Sequence, residues 1–178
     1  MDRSLNLYIE QLEVMAFFSG YPLIYFIVLS FAGKRSMRSP FKQQMVSLLP
    51  FAYALTGTLF LGLQLRNLYP DFSIMHIKTI FQYPLLKTWG LISVLFWIPA
   101  FHKKPVISLL HSLVFFYFLT RDILLYLLAA SGDKYALQNE MNVYTDSLLL
   151  NISTLAGVII IYIFFTRLKK TNNSSRIS

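Results

Sequence analysis

The charged residues that could do chemistry in this chain lie within or beside apolar segments. Arg121 and Asp122 are adjacent in the stretch LVFFYFLTRDILLYLLAA, residues 113–130, which is otherwise almost wholly apolar. A charge at the centre of a bilayer costs at least about 2.5–3.5 kcal/mol, so such residues usually face protein or water and are paired. Because successive residues of a helix point about 100° apart, we expect Arg121 and Asp122 to have separate partners.

Other charged residues fall at a similar depth when the apolar segments are aligned. The predicted polar cluster consists of Glu10, Glu13, Arg66, Arg121, Asp122 and Asp146. Arg121 is expected to pair with Glu13 or Asp146. Asp122 is expected to pair with Arg66. The favoured interpretation is an ion-pair network that holds the helices together, and the alternative is a lined cavity or a contact with a partner subunit.

Two further polar residues lie inside apolar segments. His111 precedes Asp122 by three helical turns on nearly the same face, a spacing that could serve a proton path. The gap is about 16 Å, and Phe115 and Phe118 fill the stripe between the two residues. A core histidine is therefore the favoured interpretation. Asn151 contributes to a polar patch in the last apolar segment, where an interhelical hydrogen bond is its expected role.

The motifs that usually signal an enzyme or a metal site are missing from the sequence. The chain has no Gly-rich phosphate loop, no Gly-x-Ser-x-Gly element, no His-Glu-x-x-His motif and no cysteine. Its three histidines, at His76, His102 and His111, do not have the spacing of metal ligands. We therefore expect no metal and no cofactor, and the sequence gives little support to catalysis.

The elements that must position these residues are apolar segments that can cross a membrane. Hydrophobic residues make up 56% and charged residues 13% of the 178 positions, against about 45–50% and about 25% in soluble domains. A helix of about 20 predominantly apolar residues spans a bilayer. Five candidate segments occur in the chain, at residues 14–32, 45–65, 85–101, 106–130 and 147–166. The predicted fold is all-α, a polytopic membrane protein with five transmembrane helices.

The boundaries of this domain follow from the same segments. Residues 1–170 are expected to form a single transmembrane domain, and residues 171–178 a disordered cytoplasmic tail. The third segment is long enough only if it starts before Lys87, whose long side chain can reach the membrane surface. Residues 72–82, in the longest connection, could form a short helix lying in the interface. The N-terminus lacks the pattern of a cleavable signal peptide, so we expect the first span to be retained.

Two kinds of residue predict how the spans pack. Ala54, Thr58 and Gly62 are spaced four apart in the second segment, and small residues at this spacing let helix backbones approach closely. Prolines that can kink a span occur at Pro22, Pro50 and Pro99. The small residues argue for a packed bundle or a contact between subunits rather than for a ligand. Kinked helices are as often structural as functional, and they count in favour of a transporter.

The basic residues predict the orientation. Residues 34–42, residues 103–104 and the tail from Arg167 are basic, whereas the N-terminus and residues 131–146 are mainly acidic. The positive-inside rule then places the N-terminus outside and the C-terminus in the cytoplasm. Five spans require the same arrangement of the termini.

The composition also limits the partners. The net charge of +8 comes from residues that flank apolar segments, which indicates contact with anionic lipid on the cytoplasmic side rather than with nucleic acid. The compact connections favour the cell membrane, as a bacterial inner membrane. The favoured function is an accessory or structural subunit of a larger inner-membrane complex, with other membrane subunits or copies of itself as partners. The alternative is a small transporter, channel or ligand-binding protein, and a lipid-modifying enzyme is less favoured.

Overall fold

The computed structural model is helical across the residues that it describes, which are 3–33, 40–69, 84–128 and 134–174. Its helices within these ranges are α1 (Arg3–Phe18), α2 (Tyr21–Gly33), α3 (Pro40–Leu68), α4 (Pro84–Ile92), a 3-10 helix (Ser93–Trp97), α5 (Pro99–His102), α6 (Pro105–Leu128) and α7 (Lys134–Ser174). Four stretches are long and apolar enough to cross a membrane: Gln11–Phe31, Gln44–Leu68, Pro105–Leu125 and Met141–Lys169. The all-helical membrane class is thus confirmed.

The third apolar segment differs from the prediction. Its apolar part, Leu85–Trp97, is shorter than a span. The chain changes there from α-helix to 3-10 helix, and Ile98 then adopts an extended conformation before Pro99 starts α5. Proline suits this first helical position because its missing N–H would have no partner inside the helix. Four helices therefore have the length of a span, and the predicted count of five is not confirmed.

Side-chain contacts define the relative directions of the α1–α2 stretch, α3 and α6. Both α3 and α6 run antiparallel to the α1–α2 stretch, and so parallel to each other. The side-chain pairs that establish this are Phe18–Phe60 and Tyr21–Tyr53 with α3, and Phe18–Phe115 and Tyr21–Ser108 with α6. We call the two ends of the bundle the Leu68 end, where α3 ends, and the Pro40 end, where α3 begins. Because two parallel helices need a connection that runs back between them, α4, the 3-10 helix and α5 form this return.

The return segment packs closely along α3. A Cβ atom added at Gly57 would overlap the side chain of Ser93 and lie 3.0 Å from its carbonyl carbon, so glycine is what allows this approach. The indole nitrogen of Trp97 donates to the hydroxyl of Thr58 at 2.9 Å. By contrast, the space around Gly62 is open. Close approach on α3 thus occurs at Gly57, a position that the predicted four-residue spacing did not include.

The two halves of the bundle differ in cross-section. The hydroxyl of Tyr21 meets Ser108, only three residues after α6 begins, while α2 continues for twelve residues beyond Tyr21. At about 1.5 Å per residue, α6 begins about 13 Å short of the Pro40 end of α2. The Pro40 half is therefore built mainly from α2, α3 and α7.

The last helix is longer than the sequence predicted. It starts at Lys134, so most of the predicted connection 131–146 is helical, and it ends at Ser174, beyond the predicted boundary at residue 170. The polar side chains of this early part do not prevent a helix. The predicted interfacial helix at 72–82 and the last four positions, 175–178, lie outside the described residues.

Candidate functional site

The first membrane span is broken near its middle. Between α1 and α2, Ser19 and Gly20 form a turn, and Pro22 follows in the first turn of α2. The break is held by α7: the hydroxyl of Ser147 accepts from the Gly20 N–H at 2.8 Å, and the Asn151 amide donates to the carbonyl of Phe17 at 2.9 Å. Backbone groups freed inside a membrane must find partners, and this polar patch on α7 supplies them.

Gly20 is also where α1–α2 and α7 come closest. A Cβ atom there would lie 2.7 Å from the backbone nitrogen of Leu148 and 2.8 Å from the carbonyl carbon of Ser147. Real Cβ atoms do not approach backbone atoms so closely, so the contact depends on glycine. Sequence reasoning missed Gly20 and Ser147, although Ser-Gly-x-Pro inside an apolar segment is a signal for a break.

Asp122 is held by two neighbours of different kinds. The Gln11 amide donates to its Oδ2 at 2.7 Å, and the Arg121 guanidinium donates to its Oδ1 through Nε at 2.9 Å and Nη2 at 2.8 Å. Asp122 is buried, whereas 47% of the Arg121 side chain is exposed. The expectation of separate partners for these adjacent residues was therefore wrong. The 100° separation applies to the Cβ directions, and the long arginine side chain bends back, passing 5.3 Å from the centre of the Phe118 ring.

Glu13 belongs to a different group of side chains. Its Oε1 accepts from the Gln64 amide at 2.7 Å and from the Asn67 amide at 3.5 Å. Both Gln64 and Lys87 are almost fully buried, so Lys87 does not extend to the membrane surface as expected. Gln64 Oε1 is buried and has no hydrogen-bond partner among the described residues. Glu13 and Asp122 thus accept from amide side chains of other helices, and the basic residue of the predicted cluster that contacts Asp122 is its neighbour Arg121.

The remaining members of that cluster lie apart. Arg66 and Asp146 are exposed on α3 and α7, and no contact between described residues brings either of them to Asp122. Glu10 lies on α1, but its side chain is outside the described part of the structure. The structure therefore joins Arg121 to Asp122 and places Glu13 elsewhere, instead of forming one network.

His111 lies in an aromatic environment. Its Nδ1 is 2.7 Å from the hydroxyl of Tyr53, and its ring stacks on Trp89 with the centroids 4.8 Å apart. The Trp89 indole N–H donates to the His111 carbonyl at 3.2 Å. Phe96 and Phe115 close two further sides at 5.8 Å. His111 Nε2 is buried with no hydrogen-bond partner in the described ranges. Sequence reasoning singled out His111 but missed Tyr53 and Trp89, because no local pattern links residues this far apart.

The polar side chains described above form hydrogen bonds that connect neighbouring helices. Within the described residues, no group of three His, Cys, Asp or Glu side chains could hold a metal ion. Asp122, Glu13, His111 and Asn151 each bond to a side chain or backbone group of another helix. No protein-family model, curated protein or solved structure matches this chain. Function therefore has to be argued from the geometry of the bundle.

Proposed function

We propose that this protein is an accessory or structural subunit of a larger complex in the cell membrane, bound there through its transmembrane helices. The observation that carries this proposal is an exposed face of α7 with small residues at its centre. This α7 face consists of Leu149, Ser153, Ala156, Gly157, Ile160 and Phe164. At about 100° per residue, these positions share one side of the helix, away from the side that holds Asn151 and Val158 in the bundle.

The centre of the α7 face has room for another helix. A Cβ atom added at Gly157 would meet nothing within 4 Å. The hydroxyl of Ser153 bonds to the Leu149 carbonyl of its own helix, at 2.8 Å, so it protrudes little. Large apolar side chains of the same face lie next to these small residues, with Ile160 66% and Phe164 59% exposed. Small residues four apart on a lipid-facing side let a second helix pack closely against the backbone.

An open glycine does not by itself mark a contact, since Gly62 on α3 is equally open. Gly157 differs because Ser153 and Ala156 lie beside it on the same face, so a second helix can approach the backbone over a full turn. Close packing of a partner backbone would offset the cost of about 1 kcal/mol that glycine has relative to alanine in a helix. In addition, only 22% of the apolar stretch of the Met141–Lys169 span is buried, compared with 28% for Pro105–Leu125 and 50% for each of the first two spans.

The internal polar groups favour the same function over a ligand site. Both carboxylate oxygens of Asp122 accept hydrogen bonds from the protein itself. The break at Gly20 is also satisfied within the bundle, by Ser147 and Asn151. Groups that bond to each other in this way stabilise the arrangement of the helices.

The proposal includes a topology. We infer that the short return segment completes a fifth crossing, with the N-terminus outside and the C-terminus in the cytoplasm of a bacterial inner membrane. All eight acidic residues precede Val14, lie between Leu68 and Pro84, or lie from Asp122 to Asp146. These parts of the sequence belong to the Leu68 end or connect helices there. Under the positive-inside rule, the more basic Pro40 end faces the cytoplasm.

Two matched glycine variants test the subunit proposal. Gly157→Leu fills the centre of the α7 face, and Gly62→Leu makes the same change on α3, where a Cβ also meets nothing within 4 Å. After mild solubilisation of native membranes, mass spectrometry should find partner subunits with the wild-type chain and with Gly62→Leu. We expect Gly157→Leu to lose them while it still inserts and folds.

Two outcomes would contradict this proposal. In the first, the wild-type chain purifies alone, as a monomer or as a stable homo-oligomer, with no co-purifying protein. In the second, Gly157→Leu retains its partners as well as Gly62→Leu does, which would exclude the α7 face as the contact.

A second candidate function is a transporter, channel or ligand-binding protein, and one observation favours it. At the Leu68 end, Gln64 is almost fully buried, and its Oε1 has no hydrogen-bond partner among the described residues. A buried amide oxygen of this kind can accept a hydrogen bond from the positively charged group of a cationic or zwitterionic solute. A thermal shift caused by such a solute should then disappear in Gln64→Leu and persist in Gln44→Leu, a change at an exposed glutamine. Failure of every solute class to shift the wild-type protein would exclude this candidate.

A further inference from the structure

A groove opens at the Pro40 end between the start of α3 and the last part of α7. Its cavity has a volume of about 280 Å³. The floor is apolar and consists of Met45 and Leu48 on α3 and of Ile159 and Ile163 on α7. The groove exists because α6 begins well short of this end and leaves three helices to enclose the space.

The size and chemistry of the groove limit what can fill it. A water molecule takes about 30 Å³ in the liquid and needs two to four polar partners, which the floor does not offer. A helix is about 10 Å thick, so even 12 Å of its length occupies on the order of 900 Å³ and cannot enter. A single acyl chain is thin and apolar, and it suits a groove within the spans Gln44–Leu68 and Met141–Lys169.

The rim of the groove is polar where the floor ends. Gln44, Thr166 and Arg167 line this part, and Arg167 follows Ile163 by one helical turn. Residues four apart lie above one another on a helix, so the guanidinium group is next to the end of the apolar floor. A guanidinium group can donate two parallel hydrogen bonds to a phosphate group.

The sequence on either side of the helix ends at the groove has charges of a single sign. Residues 34–42 and 167–176 together contain eight basic residues and no acidic one. Each Lys or Arg near a membrane surface contributes about 1 kcal/mol to attraction for anionic lipid. A zwitterionic headgroup gains less from this field because its positive group is repelled.

We propose that this groove binds one anionic phospholipid, with an acyl chain on the floor between Leu48 and Ile163 and the phosphate at Arg167. None of the groove residues belongs to the α7 face. The substitutions that test the two sites therefore differ, and either proposal can fail without the other.

Native mass spectrometry of the full-length protein in detergent tests this site, with phosphatidylglycerol and phosphatidylcholine of identical acyl chains as probes. The wild type should retain one phosphatidylglycerol in preference to phosphatidylcholine. Arg167→Ala should weaken that binding about tenfold or more, because it removes hydrogen bonds to the phosphate as well as one positive charge. Ile163→Trp, which fills the groove, should abolish binding of either lipid at this site.

Each variant has a matched control outside the groove. Lys169→Ala removes the same charge from α7, and Ile161→Trp makes the same change of size at an exposed position. Ile161→Trp should bind phosphatidylglycerol as the wild type does. Lys169→Ala should weaken the binding clearly less than Arg167→Ala, because it removes only the general attraction of a basic surface residue. If Ile163→Trp does not fold, Leu48→Trp fills the groove from α3 instead. Wild-type retention in both groove variants, equal losses in variants and controls, or a protein chain that competes with the lipid would each overturn the proposal.

Discussion

Asp122 is held by an amide and by the neighbouring guanidinium group, not by a charge on another helix. The Gln11 bond to Oδ2 joins α1 to α6, whereas the Arg121 contact to Oδ1 lies within α6. Since nearly half of the Arg121 side chain is exposed, solvent or lipid headgroups screen that ion pair, and such pairs contribute little. At this site the interhelical stability should therefore come from the glutamine rather than from the arginine.

A double-mutant cycle can measure this difference. Gln11→Leu and Asp122→Ala should show a coupling energy of about 0.5–3 kcal/mol, because the two side chains are in direct contact. Arg66→Ala and Asp122→Ala should be additive within about 0.5 kcal/mol, since Arg66 is exposed and does not contact Asp122. Unfolding in mixed micelles containing SDS gives the free energies. Strong coupling of Asp122 to Arg66 would instead restore the ion pair predicted from the sequence.

Gly20 and Gly62 have different surroundings, so substitution by alanine should change the stability in opposite directions at the two positions. Gly20→Ala places a methyl group against the backbone of Ser147 and Leu148, at 2.8 and 2.7 Å. Backbone atoms cannot move aside easily, so we expect a loss of about 1–3 kcal/mol, as for overpacking. Gly62→Ala meets nothing within 4 Å and should stabilise the protein by up to about 1 kcal/mol through helix propensity. Opposite shifts in thermal unfolding would confirm this, and equal shifts would contradict the contact at Gly20.

At the scale of elements, the first span consists of two helices, α1 and α2, and α7 forms hydrogen bonds to the backbone on both sides of the break between them. The turn at Ser19 and Gly20 leaves backbone groups that neither α1 nor α2 can satisfy within itself. Ser147 and Asn151 lie one turn apart on α7 and reach both sides of the break. The polar patch of the last span thus explains how a turn is tolerated inside the membrane.

Removal of the hydrogen bonds that Asn151 makes should destabilise the first span. Asn151→Leu loses the bonds to the carbonyls of Phe17 and Ser147. We expect a cost of between about 0.6 and 2 kcal/mol, because interhelical bonds in membranes are weaker than isolated ones. The control Ser153→Ala removes a bond within α7 at an exposed position and should be nearly neutral. Hydrogen exchange should also increase at residues 17–20 in Asn151→Leu alone, and unchanged exchange there would contradict the role of Asn151.

At the scale of the whole molecule, the two ends of the bundle differ in charge and in the number of helices. The acidic residues of the described helices, from Glu10 to Glu13 and from Asp122 to Asp146, lie in the half of the bundle that is nearer the Leu68 end. The Pro40 half is built mainly from α2, α3 and α7, and the groove between α3 and α7 lies there. Under the positive-inside rule, this difference in charge is expected to direct insertion.

The natural absence of cysteine allows a direct test of orientation. A single cysteine in Ser131→Cys should react with a membrane-impermeant maleimide in intact cells. The same label should reach Ser36→Cys only after the membrane is permeabilised, because the positive-inside rule places this basic connection in the cytoplasm. The reverse pattern would invert the proposed topology, and labelling of both in intact cells would exclude it.

The helical membrane class could be predicted from sequence because it depends on local properties. Runs of apolar residues and their lengths predict helices at the four candidate spans, where the structure has them, and neither property depends on a neighbouring helix. The third segment was misjudged because its composition is that of a span, while its change to a 3-10 helix and the break before Pro99 reflect packing along α3.

By itself, then, the sequence determined that this is a helical membrane protein with acidic and basic residues in separate parts of the chain. Only the tertiary structure decided which polar groups meet. Gln11 reaches Asp122 across 111 positions, and Ser147 reaches Gly20 across 127. These contacts depend on which helices are adjacent, on their relative height, and on side-chain torsions such as those that turn Arg121 back to Asp122. None of these is set by local periodicity.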